Sequence, residues 1–144
     1  NIIVDFLMSR VHLLKELSIR ICFESDYSPK KLKIFIDNFD DSYFGINYDT
    51  GNSAALGFNP FEEFAAYGDR VVNVHIKDRS FGGPTLPIGE GDVNFINIFR
   101  LLKEYDYKGN LILQTARASN DDHLTVLIKY RNMMIKYAEQ ANFI

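Results

Sequence analysis

The sequence has no tryptophan, only four prolines and a single cysteine in 144 residues. The lone Cys22 cannot form an internal disulfide, which excludes a disulfide scaffold and fits a reducing, cytoplasmic location. No apolar run approaches the roughly 18 residues of a membrane span, so no membrane partner is expected. No basic stretch leads into an apolar core and a small-residue cleavage site, so no signal peptide is read. Positive charge is not in excess either. Sixteen Lys and Arg face nineteen Asp and Glu, a net charge of −3, which speaks against a nucleic-acid partner. Linkers, charge blocks and low-complexity tracts are missing too, so residues 1–144 read as a single domain.

What is present is an alternation of helical stripes and short β-branched runs. A first helix is expected over residues 2–17, with Ile3, Leu7, Val11 and Leu14 on one face. Residues 19–24 then read as a strand. Ser28-Pro29 caps a helix carrying Leu32, Phe35, Ile36 and Phe39, and residues 44–49 form the second strand. Asn59-Pro60 opens a helix with Phe61, Phe64 and Ala65 inward, and residues 71–77 form the third strand. Past a Gly/Pro-rich loop, Asp92 caps a helix carrying Phe95, Ile98, Phe99 and Leu102, which Gly109 stops. Residues 111–115 are the last strand. Asn120 or Asp121 caps a final helix with Leu124, Leu127, Ile128, Met134, Ile135 and Ala138. Strands alternating with helices need crossovers, so the fold class is α/β with a parallel sheet of four strands and five helices.

Each strand is apolar along its length and polar at its C-terminal end. The ends are Glu24, Asp49, His75 with Lys77, and Gln114. In parallel α/β folds ligands bind at that end. Alternation puts Asp49 on the face of Asn47, and His75 on the face of Asn73 and Lys77. If these faces converge, Glu24, Asp49, His75 and Gln114 supply oxygen and nitrogen donors for one divalent ion: Mn²⁺, Mg²⁺, Co²⁺ or Zn²⁺. Ordinary structural roles compete with this. Glu24 reads equally as a solvated edge residue, Asp49 as a turn residue, His75 as a hydrogen-bonded core histidine and Gln114 as a core amide. The repetition across all four strands favours ligation. Cys22 reads as an inert core thiol, and His12 and His123 as surface or cap residues on helices. Asp49-Thr50-Gly51 also occurs in aspartic proteases, but those are all-β; Gly89-Glu90-Gly91 lacks the strand and spacing of a dinucleotide loop.

Five segments in order carry a resemblance: Cys22-Phe23-Glu24, Asn47-Tyr48-Asp49-Thr50-Gly51-Asn52, Val74-His75-Ile76-Lys77-Asp78-Arg79, Gly89-Glu90-Gly91-Asp92-Val93, and Tyr107-Lys108-Gly109 before Leu111-Ile112-Leu113-Gln114. Together they resemble the C-terminal half of the sugar phosphate isomerase/epimerase family, the xylose isomerase-like TIM barrels related to endonuclease IV. The resemblance implies a (β/α)8 barrel with one catalytic divalent metal, ligated by Glu24, Asp49, His75 and, where the family has a second Glu, Gln114. A carboxamide cannot accept a proton, so two-base epimerisation is disfavoured. The implied chemistry is a metal-stabilised enediolate formed from a ketose or aldose, with Glu24 as general base. Returning the proton to the neighbouring carbon needs one base, so isomerase is favoured over epimerase. Lys77 is a candidate second acid. Asn52, Lys77, Arg79 and Arg117 are candidate contacts for a small-molecule sugar or its phosphate. The alternatives are an endonuclease IV-like DNA repair enzyme and a non-catalytic barrel that binds sugar or metal. A full barrel takes roughly 250 residues and eight βα units. Four are counted here, so the expectation is a C-terminal half-barrel whose N-terminal half is missing. Its open edges would be closed by that half or by a second copy in a homo-oligomer.

Overall fold

The β-branched runs Ile21–Phe23 (β1), Phe44–Asp49 (β2), Val71–Ile76 (β3) and Asn110–Leu113 (β6) align as one sheet in a computed structural model describing residues 1–144. Every neighbouring pair, β1–β2, β2–β3 and β3–β6, is parallel, as the expected crossovers require. Between the strands run α3 (Pro29–Ile36), α5 (Pro60–Tyr67) and α6 (Phe95–Glu104), and α7 (His123–Gln140) follows β6. Their apolar faces and one side of the sheet form a core around Ile36, Phe44, Ile46, Phe64, Phe99 and Leu102. No helix is long and apolar enough to cross a membrane.

The sequence undercounts the helices: seven α-helices are present where five are expected. The first breaks into α1 (Ile2–Met8) and α2 (Val11–Leu17), because the Ser9 hydroxyl donates 2.7 Å back to the Phe6 carbonyl and competes with the helical ladder. A further helix, α4 (Thr50–Leu56), starts with no connecting residue after β2. Two short strands, β4 (Asp78–Arg79) and β5 (Thr85–Leu86), pair antiparallel in the loop beyond β3. Expected caps also shift. Asn94, not Asp92, caps α6, and Asp122 caps α7. Asp92 instead accepts from the Phe81 N–H at 2.7 Å. Several expected core positions face outward: Phe61 and Ala65 on α5, and Leu124, Leu127 and Ile128 on α7, are exposed. Cys22 is exposed rather than in the core, and partial burial still pushes its thiol up.

One irregularity in the sheet sets the register at its C-terminal end. Ile46 pairs with Val71 but Asn47 pairs with Asn73, so β3 carries one extra residue, Val72. A Cβ on Gly45 would stand 2.4 Å from the Val72 side chain, so glycine is what makes room for the bulge. Beyond it the register brings Asn47 beside Asn73 and Asp49 beside His75.

Candidate metal centre

The C-terminal ends of β1, β2 and β3 bring three of the candidate side chains together. Ligand atoms of Glu24, Asp49 and His75 all lie within 4.8 Å of one another. His75 Nδ1 is 3.3 Å from Glu24 Oε2 and 3.8 Å from Asp49 Oδ2. Two asparagines, Asn47 and Asn73, two residues ahead of Asp49 and His75 on their own strands, wire the cluster. Asn73 donates to Asn47 Oδ1 at 2.7 Å. Asn47 Nδ2 then donates to Glu24 Oε2 at 2.6 Å and lies 3.0 Å from His75 Nδ1. One amide group thus orients both a carboxylate and an imidazole. The sequence holds the signal for these two residues in the i, i+2 spacing from Asp49 and His75, yet neither is singled out by its type.

The oxygens of Asp49 divide their work. Oδ1 accepts 2.8 Å from the Asn52 N–H and caps α4, so Asp49 is a helix cap rather than a simple turn residue. Oδ2 is buried and accepts no hydrogen bond. Lys77 Nζ approaches it to 2.8 Å as an ion pair. A buried carboxylate oxygen with no donor is costly unless a cation serves it. Two carboxylates and an imidazole nitrogen, with Asp49 Oδ2 held by the Lys77 ammonium alone, match the hard oxygen and nitrogen donors that Mg²⁺ or Mn²⁺ takes. The residues present therefore fit a divalent ion.

Asn52, on the first turn of α4, links the cluster to the loop beyond β3. Its amide donates to Glu24 Oε1 at 2.9 Å, and its oxygen accepts from Arg79 Nη1 at 2.8 Å. Arg79 also clasps the Gly83 carbonyl through Nε and Nη2. Glu24, Asp26, Asn52 and Arg79 line an open cleft of roughly 530 Å³ beside the cluster. The structure thus gathers Glu24, Asp49, His75, Asn52, Lys77 and Arg79. Gln114 and Arg117 are exposed beyond β6, at the sheet edge, and their side chains make no hydrogen bond to these groups. The Gln114 main-chain N–H extends the ladder to the Ile76 carbonyl at 2.9 Å, and His75 pairs with Ile112, which places Gln114 one pleat further along the same face.

Two further buried acids escape a reading by residue type. Asp78 is fully buried and accepts from the N–H groups of Gly89, Gly91 and Val93 at 2.8, 3.0 and 3.3 Å. A Cβ on Gly91 would stand 2.2 Å from Asp78 Oδ1. Asp78 and the Gly89-Glu90-Gly91 turn are therefore one interlocking unit. Glu63 is buried behind β2, accepting from Tyr48 and Tyr67 at 2.9 Å each and from Ser53. Burial pushes its carboxyl up, against three hydrogen bonds that pull it down. Burial and the neighbouring Glu63 push both tyrosines well up, so they stay donors.

Residues 10–133 match the family model described as the xylose isomerase-like TIM barrel. A putative L-ribulose-5-phosphate 3-epimerase of Haemophilus influenzae is 28% identical over 109 residues, covering 71% of this chain and 38% of the relative. An inosose dehydratase of Geobacillus kaustophilus is 25% identical over 162 residues, covering 96% and 51%. Among solved structures, a xylose isomerase-like TIM barrel protein of Mycobacterium smegmatis in complex with magnesium superposes with a TM-score of 0.61 at 27% identity, covering 79% of this chain and 40% of that one. The chain thus spans about two fifths to one half of the length of these proteins.

Proposed function

The chain belongs to the xylose isomerase-like TIM barrel family, and from that premise we propose that it carries the ion-binding and proton-removing part of a divalent-metal-dependent sugar isomerase/epimerase. The observation that carries the reading is the cluster of Glu24, Asp49 and His75 around a buried Asp49 oxygen whose close partner is a cation, the Lys77 ammonium. Glu24, Asp49 and His75 would hold the ion (Mn, Mg, Co or Zn), with Gln114 as fourth ligand through its amide oxygen. A divalent ion in such a place supplies Lewis acidity toward a carbonyl and its neighbouring hydroxyl, which makes the proton on the carbon between them easier to remove.

Glu24 takes that proton as general base. Its carboxylate stands at the mouth of the cleft, and the Asn47 and Asn52 amides fix its orientation. Inversion next to a carbonyl and loss of water beside one both begin with this step, so it serves both the epimerase and the dehydratase relative. Gln114 accepts no proton, which favours isomerisation, where one base returns the proton to the neighbouring carbon. Asn52, Lys77, Arg79 and Arg117 are the substrate contacts in this reading, for a sugar or a sugar phosphate, with Lys77 as the second acid.

The test is solvent deuterium exchange into a panel of ketoses, keto-cyclitols and their phosphates, using the natural full-length protein loaded with Mn²⁺. Glu24→Gln should slow exchange by about 100-fold or more. Undiminished exchange sinks Glu24 as the base. Bound metal with no exchange from any compound favours a non-catalytic binding barrel.

A further inference from the structure

We propose that the Lys77 ammonium is a resident counter-ion standing in the metal's place on Asp49, and that loading the site drives it off. The proposal rests on the metal reading above and goes beyond it. It turns on one atom. Asp49 Oδ1 is spent on capping α4, so Oδ2 is the oxygen left for a cation. Oδ2 is also the oxygen that faces His75 Nδ1. The Lys77 ammonium sits 2.8 Å from that same Oδ2, on a side chain that is only 13% exposed. A divalent ion coordinated there and an ammonium at contact distance would be like charges within about 4 Å, a strongly repulsive arrangement away from bulk water.

The lysine is aimed at Asp49 by the two residues that follow Asp49. The Thr50 hydroxyl donates to the Lys77 carbonyl at 2.6 Å and accepts from the Lys77 N–H at 3.0 Å. That pair of hydrogen bonds to one residue's main chain fixes where the side chain starts. Gly51 then makes room for the stem: a Cβ there would stand 2.6 Å from Lys77 Cγ and 2.9 Å from Cδ. Asp49, Thr50 and Gly51 are thus the ion-pair partner, the main-chain clamp and the cradle for one lysine. Without a cation, the carboxylates of Glu24 and Asp49 would face each other across His75 with no charge to offset them, and the ammonium supplies that charge in the metal-free protein. Its four-carbon stem is flexible and it binds as a point charge, so it yields its place without moving the backbone. Displaced, it becomes an available proton donor on the face it shares with His75, and only when the ion is in place.

The proposal makes an unusual demand: deleting a residue of the site should tighten metal binding. Titration of Mn²⁺ into metal-free full-length protein should give a dissociation constant for Lys77→Met about tenfold or more below that of wild type, since a competitor for Asp49 is gone. Lys77→Arg, which keeps a cation, should not share the gain. A folded Lys77→Met protein that binds Mn²⁺ equally or more weakly overturns the displacement. If neither protein takes up Mn²⁺, the metal reading falls and takes this one with it; if only the variant binds, the displacement is supported in its strongest form. A second measurement needs no variant. Reductive methylation of wild type, read at Lys77 by peptide mass, should speed up when Mg²⁺ saturates the site, because the amine is released. Unchanged or slower labelling refutes the release.

Discussion

A buried carboxylate shows most clearly how single residues carry this structure. Glu63 accepts three hydroxyl donors, from Tyr48, Ser53 and Tyr67, so it joins β2, α4 and α5 at one point. Its folded carboxyl is raised mainly by burial, so the folded state holds the proton more tightly than the unfolded chain. Stability from this group is therefore full below the ordinary carboxylate range and is lost as pH rises through the raised value. Glu63→Gln keeps an acceptor and abolishes the ionisation. The variant should gain on wild type as pH rises from about 4 to about 8 in urea unfolding. A stability difference that does not change with pH would sink this account. Glu63→Ala should cost about 2–4 kcal/mol at about pH 4, because it leaves three buried hydroxyls without an acceptor, and less as pH rises through the raised value. Nothing in the sequence marks Glu63 as buried. It sits beside Phe61 and Ala65, the residues the helical stripe points inward, and its burial depends on donors brought by two other elements. The candidate ligands were legible for the opposite reason: Glu24, Asp49 and His75 each stand at or near the end of an apolar run, whereas the register that sets Asp49 beside His75 depends on the bulge at Val72, which no pattern in the sequence marks.

At the scale of elements, the sequence was informative where a cap precedes an apolar stripe, as at Ser28-Pro29 and Asn59-Pro60, both of which open helices as expected. It was silent at α4, because Asp49 ends a strand and caps a helix at once, and Thr-Gly-Asn-Ser is a poor helix-forming start. That hidden helix brings Asn52 to Glu24 and Gly51 against the Lys77 side chain, so the missed element lies at the candidate site. The loop beyond β3 behaves as an element too. Asp78 holds three of its N–H groups, and with Arg79 on Gly83 and Asn52 it ties the loop to the cleft wall. Asp78→Ala should cost about 3–5 kcal/mol by stranding those donors. Asp78→Asn, which keeps one good acceptor, should cost less. Hydrogen exchange at Gly89, Gly91 and Val93 should rise in both variants before exchange in β3 does. Loss of protection in loop and strand together would show that the loop is not a separately anchored unit.

At the scale of the whole molecule, the sheet order β1-β2-β3-β6 leaves two open edges. Apolar groups gather at the β6 side. Leu111 and Ile112 are partly exposed, and so are Leu124, Leu127 and Ile128 on the first half of α7. In a (β/α)8 barrel the next strand and helix would cover such positions, and the chain spans only about two fifths to one half of its relatives' length. We propose that closure comes from further barrel strands in the same polypeptide or from a second copy of this chain. Parallel edges pair readily, because every second N–H and C=O points outward unpaired. The 144-residue chain produced alone should therefore sediment above its 16.6 kDa monomer mass, increasingly so with concentration. The edge itself can be switched off. The Gln114 N–H bonds inward to Ile76, so by alternation the Leu111 N–H points outward and Leu111→Pro removes no bond of the existing ladder. That variant should shift the isolated chain toward monomer. It should leave the far-ultraviolet circular dichroism nearly unchanged. An isolated wild-type chain that stays monomeric and turns over sugar would refute the need for closure. A Leu111→Pro chain that associates as before would move the interface away from β6.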